Sequence, residues 1–289
     1  MDQLNPTIII RALTGAALAG LLLAVGLRLT WAEVLAALRR CRLSLVLLIN
    51  FALVPVITLA LGSAFHVERD LLLGMMLLAA APFAPVVPVF TRMARGDLAL
   101  AAGLTSLFPF LSAIFTPLVF VLCLKFIPDA ETMNFNFMTV LGVLVATITL
   151  PLGLGVALNQ AQPNLARKLL RPVEVFSEVI GALSLAYVAA VEFKSVLATG
   201  WLPLTVMVLV FELSLLAGYW AGGGERNSRR ALALGSCNRN IALAVLVAIS
   251  SFPGTPVIGA VVANGLLAIF LGLLHVAWWR FRHDLRTHN

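Results

Sequence analysis

Apolar runs long enough to cross a lipid bilayer recur along the whole of this 289-residue sequence. A helix needs about 20 predominantly apolar residues to span the hydrocarbon core. Charged residues make up 11% of the chain, against about 25% in soluble domains. The short alternating segments of a membrane β-barrel are missing, so the sequence predicts an all-α polytopic membrane protein with nine transmembrane helices. The nine predicted spans lie near 7–28, 43–65, 70–94, 97–127, 136–159, 174–196, 200–222, 230–250 and 255–279.

The basic residues cluster in the short segments at the ends of these spans, and the formal net charge is +7. This placement is typical of membrane topology, because cytoplasmic loops carry an excess of Lys and Arg, and we expect no nucleic-acid partner. With nine spans, all five clusters fall on one side. We therefore expect a cell-membrane protein with its N-terminus outside and its C-terminus in the cytoplasm. The clusters contain Arg39, Arg40, Arg42, Arg92, Arg95, Arg167, Lys168, Arg171, Arg226, Arg229, Arg230, Arg280, Arg282 and Arg286.

Two of the nine spans contain residues that interrupt a helix. The span at 70–94 holds three prolines, each of which lacks a backbone donor and clashes with the preceding turn. The span at 230–250 holds a glycine followed by a run of small and polar residues. We expect both to be discontinuous helices. The interrupting residues are Pro82, Pro85, Pro88, Gly235, Ser236 and Cys237.

The interrupted spans occupy matching places in two groups of four spans that run in opposite directions. Interrupted helices at matching positions of two inverted halves indicate the binding site of a secondary transporter. We expect one half at 1–127 and the other at 174–282. Residues 128–173, which contain the fifth span, would join the halves, and 283–289 would form a cytoplasmic tail.

The second interruption carries a charge into the membrane through the sequence Asn238-Arg239-Asn240. A charged side chain at the bilayer centre costs about 2.5–3.5 kcal/mol on insertion scales, so such residues usually mark a functional site. The planar donors of Arg239 suit a carboxylate, sulfonate or phosphate. The alternative is a structural ion pair with Glu212, which lies within the span at 200–222 and is also a candidate proton carrier.

No motif of an ATP-driven pump or a hydrolytic enzyme occurs in the sequence. GxxxxGK[ST], GxSxG and HExxH are absent, and the three cysteines, Cys41, Cys123 and Cys237, lack CxxC or Cys/His spacing. We therefore expect neither an enzyme nor a metal site or cofactor, with Na⁺ as a coupling ion the one candidate. The predicted partners are a small organic anion and the lipid bilayer. A non-transporting membrane sensor stays open as an alternative, and so does the oligomeric state.

Several segments of the sequence resemble the bile acid:sodium symporter family. The stretch FTRMARGDLAL is similar to the family's "MTYLARGN-ALS" motif, and INFALVP is similar to "AQFAIMP". This resemblance implies a panel domain and a core domain, with two discontinuous helices that cross in the core. It also implies two sodium sites at the crossing and an organic anion bound between the domains. The segments are Ile49–Pro55, Phe90–Leu100, Thr105, Thr116–Pro117, Gly235, Asn238 and Ala242–Ala244.

The chain departs from this family at most of the sodium ligands that the resemblance implies. Val87 and Pro88 replace a Ser-Asn pair, Ala101 replaces a serine, Ala233 replaces an acidic residue and Cys237 replaces a glutamine. Sodium is a hard cation that binds several oxygen ligands (compare). These replacements therefore argue against sodium coupling of the family type.

The remaining polar residues define the predicted site. We expect Arg239 to act as a tethered cation in place of sodium, in a proton-coupled or uncoupled anion carrier that uses Arg239 and Glu212. The predicted substrate-binding residues are Arg239, Asn240, Asn238 and Asn50, and the predicted ion-binding or coupling residues are Thr105, Asn238, Asn50 and Glu212.

Overall fold

The structure is a computed structural model that describes residues 6–29, 39, 41–127 and 135–287, with side chains as far as Phe281. Arg40, residues 128–134 of the predicted linker, and the side chains of Arg282 and Arg286 lie outside the described part. The elements in the described part are all helices, as the all-α prediction requires. They are α1 (Pro6–Arg28), α2 (Leu43–Ala64), α3 (Arg69–Ala79), α4 (Val87–Met93), α5 (Leu98–Leu124), α6 (Phe137–Ala161), α7 (Pro163–Val191), α8 (Phe193–Leu197), α9 (Trp201–Ala221), α10 (Arg226–Cys237), α11 (Ile241–Ser251) and α12 (Val257–Thr287).

Eight segments of the described chain are long and apolar enough to cross a membrane, with α10 and α11 counted together as Arg226–Ser251. The predicted polytopic membrane protein is thereby confirmed. The remaining predicted span, at 70–94, consists of the two short helices α3 and α4, which are separated by residues 80–86.

Helices α7 and α12 extend beyond the predicted spans at 174–196 and 255–279. Helix α7 begins at Pro163, within the predicted linker, rather than near residue 174. Proline suits the first turn of a helix because its missing N–H has no intrahelical partner there, and the polar residues that follow extend the helix beyond its apolar run. The predicted tail at 283–289 is helical as far as Thr287.

The helices pack in two groups that contact each other through α1 and also through α5 and α6. Helix α1 packs mainly against α6 and α7, whereas α9 packs against α10 and α12 packs against α3. Gly26 of α1 and Gly155 of α6 allow these two helices to approach closely. A Cβ on either glycine would collide with the backbone of the opposite helix. Helix α1 also contacts α11, and this contact links the two groups. The inverted repeat, with halves at 1–127 and 174–282, stays a prediction.

The breaks in the two discontinuous helices lie against each other and exchange backbone hydrogen bonds. The amide of Ala84 donates to the carbonyl of Asn238 (3.0 Å), and the amide of Asn240 donates to the carbonyl of Ala81 (2.8 Å). Unwound backbone is tolerated at membrane depth when protein buries it and satisfies its polar groups. These two bonds therefore hold the unwound segments together at a single crossing.

Candidate functional site

The first break follows from its prolines. Pro82 and Pro85 lie between α3 and α4, where their missing N–H groups end the helix, whereas Pro88 lies in the first turn of α4. Phe83 between them adopts the left-handed conformation, with φ 56°. Its ring is buried and stacks on Phe108 with the ring centroids 4.1 Å apart. The first break therefore sends an aromatic side chain into the core.

The second break is shorter than the sequence suggested. Gly235, Ser236 and Cys237 form the last turn of α10, so the helix is interrupted at residues 238–240. Gly235 has a packing role here, since the space that a Cβ would occupy is filled by the ring of Phe83.

Asn238 and Asn240 close the two helix ends at the second break. The side-chain Nδ2 of Asn238 donates to the carbonyl of Leu234 (2.9 Å). The Asn240 side-chain oxygen accepts from the amide of Leu243 (3.1 Å) and so caps the start of α11. Both side chains therefore satisfy backbone groups, and they leave the guanidinium of Arg239 to other partners.

Arg239 is buried, with 6% of its surface exposed. Its Nη1 donates to the carbonyl of Asn50 (3.2 Å), and its Nε and Nη2 have no hydrogen-bond partner. Among the described residues no carboxylate lies within salt-bridge distance of it. The predicted Arg239–Glu212 ion pair is therefore not formed. Glu212 instead contacts His275, with Oε2 3.3 Å from Nε2, because the two side chains meet between α9 and α12.

The carbonyl of Asn50 is free for Arg239 because of a local change in helix geometry. Residues Ile49–Leu53 of α2 form a π-helical turn in which the amide of Val54 bonds the carbonyl of Ile49. The corresponding amide for the Asn50 carbonyl belongs to residue 55, which is a proline and has no N–H. Such π turns are frequent at functional sites. Pro55 is the sequence signal for this contact.

The Asn50 side chain is only half satisfied. Its amide nitrogen donates to the carbonyl of Val46 (2.9 Å) and to the hydroxyl of Ser236 (3.2 Å). Its side-chain oxygen has no partner, and the buried hydroxyl of Thr105 also has none. These two oxygens are the remaining candidates for ion ligands among the predicted coupling residues.

Few side-chain oxygens among the described residues of the predicted ion site are free to bind a sodium ion. A hard cation of this kind takes about six oxygens, usually with carboxylates among them (compare). Among the described residues no group of three or more His, Cys, Asp and Glu side chains is close enough to hold a metal ion. The carbonyls of Ala81, Asn238 and Asn50 at the crossing each already accept a hydrogen bond.

A cavity of about 600 Å³ lies beside Arg239, within the range of about 300–1,000 Å³ that is typical of small-molecule sites. Its lining comes from α1 and α7 and from α4, α11, α12 and the two breaks, and most of it is apolar. Asn238, Arg239 and Asn240 all line it. It therefore offers an apolar space with a cation at one place on its surface.

The same cavity is lined by Glu178 of α7, which is not among the predicted site residues. The signal for it was an acidic residue within the apolar run of the sixth predicted span. A second cavity of about 20 Å³, lined by Ser214 and Asn264, also borders Arg239. This space is large enough for about one water molecule.

Comparison with known proteins gives one matching family model and several relatives. A family model described as the Sodium Bile acid symporter family matches residues 16–201. The chain is 29% identical over 176 residues to the human "P3 protein", which is 60% of this chain and 36% of that protein. It is 26% identical over 274 residues to the "Probable sodium/metabolite cotransporter BASS3, chloroplastic" of Arabidopsis thaliana, which is 91% of this chain and 61% of that protein. The chain thus spans less than two thirds of either relative.

Proposed function

Because this chain belongs to the sodium bile acid symporter family, we propose that it is a secondary transporter of a small organic anion, which Arg239 binds. One observation carries this proposal: a buried guanidinium with two unpartnered donor nitrogens lines the 600 Å³ cavity. An unpaired buried charge is costly, and an anion that hydrogen-bonds to it removes that cost. The cavity supplies the space for the anion, and Arg239 is one of the residues that line it.

The chemistry of the cavity favours an amphipathic anion. A guanidinium binds the two oxygens of a carboxylate or sulfonate through parallel hydrogen bonds. The apolar lining would hold the hydrocarbon part of the substrate. The N-terminal end of α11, which begins at Ile241 beside the cavity, adds a positive partial charge near the same place.

The proposed coupling differs from that of the family. Arg239 stands as a fixed positive charge at the crossing, where the resemblance implies sodium, and most of the implied sodium ligands are replaced. Transport would follow alternating access, in which the groups on either side of a central site move relative to each other. The competing expectation comes from the Arabidopsis relative, whose name describes a probable sodium/metabolite cotransporter.

The test compares Arg239→Gln with Arg11→Gln in proteoliposomes. Arg11 is a matched control, since its Nη2 donates to the carbonyl of Ile249 (3.2 Å) and it does not line the cavity. The probes are taurocholate and hexanesulfonate, supplied with NaCl or with choline chloride at the same concentration. We expect Arg239→Gln to reduce uptake at least roughly tenfold, because a hydrogen bond to a charged group contributes about 1.5–3 kcal/mol. We expect Arg11→Gln and the change to choline to leave uptake nearly unchanged.

Each contrary result has a defined meaning. Uptake that survives Arg239→Gln overturns the role of Arg239. Uptake that requires sodium overturns the proposed coupling. Saturable stabilisation of the purified protein by either probe, without uptake, favours the non-transporting sensor.

Proton coupling is the second candidate, and the contact between His275 and Glu212 favours it. The His275 Nδ1 lies 3.0 Å from the carbonyl of Leu271, which can only accept, so a hydrogen bond there requires the tautomer with its hydrogen on Nδ1. The 3.3 Å contact between Nε2 and the Glu212 carboxylate is then favourable when one proton lies between them. Ionisable pairs inside membrane spans are characteristic of proton relays.

A further inference from the structure

We infer that the substrate of this cavity is zwitterionic: its anionic group binds Arg239, and a protonated amine or quaternary ammonium group binds Glu178. This inference rests on the proposed function, because it assumes that the cavity holds the transported solute. It adds a second recognition group, on α7, to the one at the crossing.

Glu178 is an exposed carboxylate without a counter-charge in the part of the chain that the structure describes. It lines the cavity, and no cationic side chain there comes within salt-bridge distance of it. Glu174, about one turn earlier on α7, differs in this respect. Its two carboxylate oxygens pair with Arg28 (3.0 Å) and Arg171 (3.6 Å). The helix therefore satisfies one of its neighbouring carboxylates and leaves the other facing the cavity.

Glu178 and Arg239 do not satisfy each other. Both line the same cavity, yet they form no salt bridge. The other polar side chains nearby on α1 and α7 are already paired: the hydroxyls of Thr14 and Ser184 lie 2.7 Å apart. The polar binding capacity of the cavity is thus concentrated in two opposite charges with apolar surface between them.

A carboxylate in this position works against a simple anion. Charges that line a cavity with low-dielectric walls act strongly on whatever enters it, so Glu178 repels a plain carboxylate that Arg239 attracts. A second, positive group on the substrate changes that repulsion into attraction. Specific sites commonly combine an attraction for the right ligand with a repulsion of the wrong one. The fitting class is an aminocarboxylate or aminosulfonate with an apolar spacer.

The experiment measures thermal stabilisation of the purified full chain by matched pairs of probes. The pairs are 6-aminohexanoate with hexanoate, and 8-aminooctanoate with octanoate. Within at least one pair, we expect the amino compound to bind the wild type roughly tenfold more tightly, which corresponds to about 1.4 kcal/mol. We expect Glu178→Gln to remove this preference while it preserves or improves binding of the plain carboxylates. Glu178→Asp should retain the preference, and Glu174→Gln is the matched control that should leave it unchanged.

The outcomes separate this inference from the proposed function. If plain carboxylates bind in a way that Arg239→Gln abolishes, and the amino group gives no advantage, the zwitterion inference is wrong and the proposed function stands. If the preference for the amino compound persists in Glu178→Gln, Glu178 is not the recognition group. If no probe stabilises the protein, the zwitterion inference is overturned and the uptake test decides the proposed function. If Arg239→Gln has no effect on the probes that bind, both proposals are overturned.

Discussion

A methyl group added at Gly235 tests how tightly the crossing is packed. An alanine Cβ there would lie closer than 3.0 Å to Cε1 and Cζ of Phe83, and 3.0 Å from Cδ1. Favourable carbon–carbon contacts lie at about 3.5–4.0 Å, so three ring atoms would have to move. The ring is 1% exposed and stacked on Phe108, and its backbone neighbour Ala84 bonds the second break. The overlap therefore cannot be relieved without moving the crossing.

We expect Gly235→Ala to cost about 1–3 kcal/mol, the usual cost of overpacking a core. The melting temperature of the protein in detergent should fall by roughly 2–12 °C, at about 2–4 °C for each kcal/mol. Gly153→Ala in α6 is the matched control, because a Cβ there meets nothing within 4 Å. That variant should be neutral or stabilised by up to about 1 kcal/mol, since alanine favours a helix more than glycine does.

A double-mutant cycle with Phe83→Ala checks the cause. Phe83→Ala alone removes a buried ring and should cost about 3–5 kcal/mol. In that background Gly235→Ala should cost little, because the ring that it meets is gone. If the two effects simply add, the sites are not coupled in the sense of such a cycle, and the packing argument is refuted.

Two further substitutions test other parts of the structure. Thr116→Val removes the 2.7 Å hydrogen bond that the Thr116 hydroxyl donates to the carbonyl of Ala80, just beyond the end of α3. The buried carbonyl is then unpaired, and the free energy of unfolding should fall by about 1–3 kcal/mol, as measured by thermal unfolding. The control Thr205→Val, on an exposed face of α9, should change the free energy of unfolding little. A loss as large in Thr205→Val would contradict this reasoning. If the Glu212–His275 pair carries a coupled proton, a pH gradient across proteoliposomes should drive uptake of taurocholate in the wild type and in His66→Gln but not in His275→Gln. An equal response to the gradient in both variants would remove the pair from the coupling mechanism.

The membrane class and the places where the helices are interrupted could be predicted because they depend on local sequence. Apolar length defines a span, and proline interrupts a helix wherever its missing donor is needed. Pro82 and Pro85 therefore lie between two helices as the sequence indicated. The start of α7 differs from the prediction because an apolar run marks the membrane-spanning part of a helix and not its polar extension.

The partners of the buried charges could not be predicted, because they depend on how each helix is rotated about its axis. Glu212 and Arg239 both lie within predicted spans, and sequence alone gives no reason to prefer His275 as the partner of Glu212. The packing role of Gly235 could not be predicted from the sequence either. A glycine beside a polar triplet suggests unwinding, whereas its use here is to admit a ring from a residue far away in the chain.

The crossing also bears on which helices can move relative to one another. Each break is bonded to the other through its own main chain, Ala84 to Asn238 and Asn240 to Ala81, so we expect the four half-helices to move together. If a transport cycle kept those bonds, the movement would take place at the joint between the crossing and helices α1 and α7. The large cavity lies at this joint. Glu178 and Arg239 stand on different sides of that joint, so its movement would change the distance between them. The length of a bound solute that contacts both residues would then set how far the joint opens.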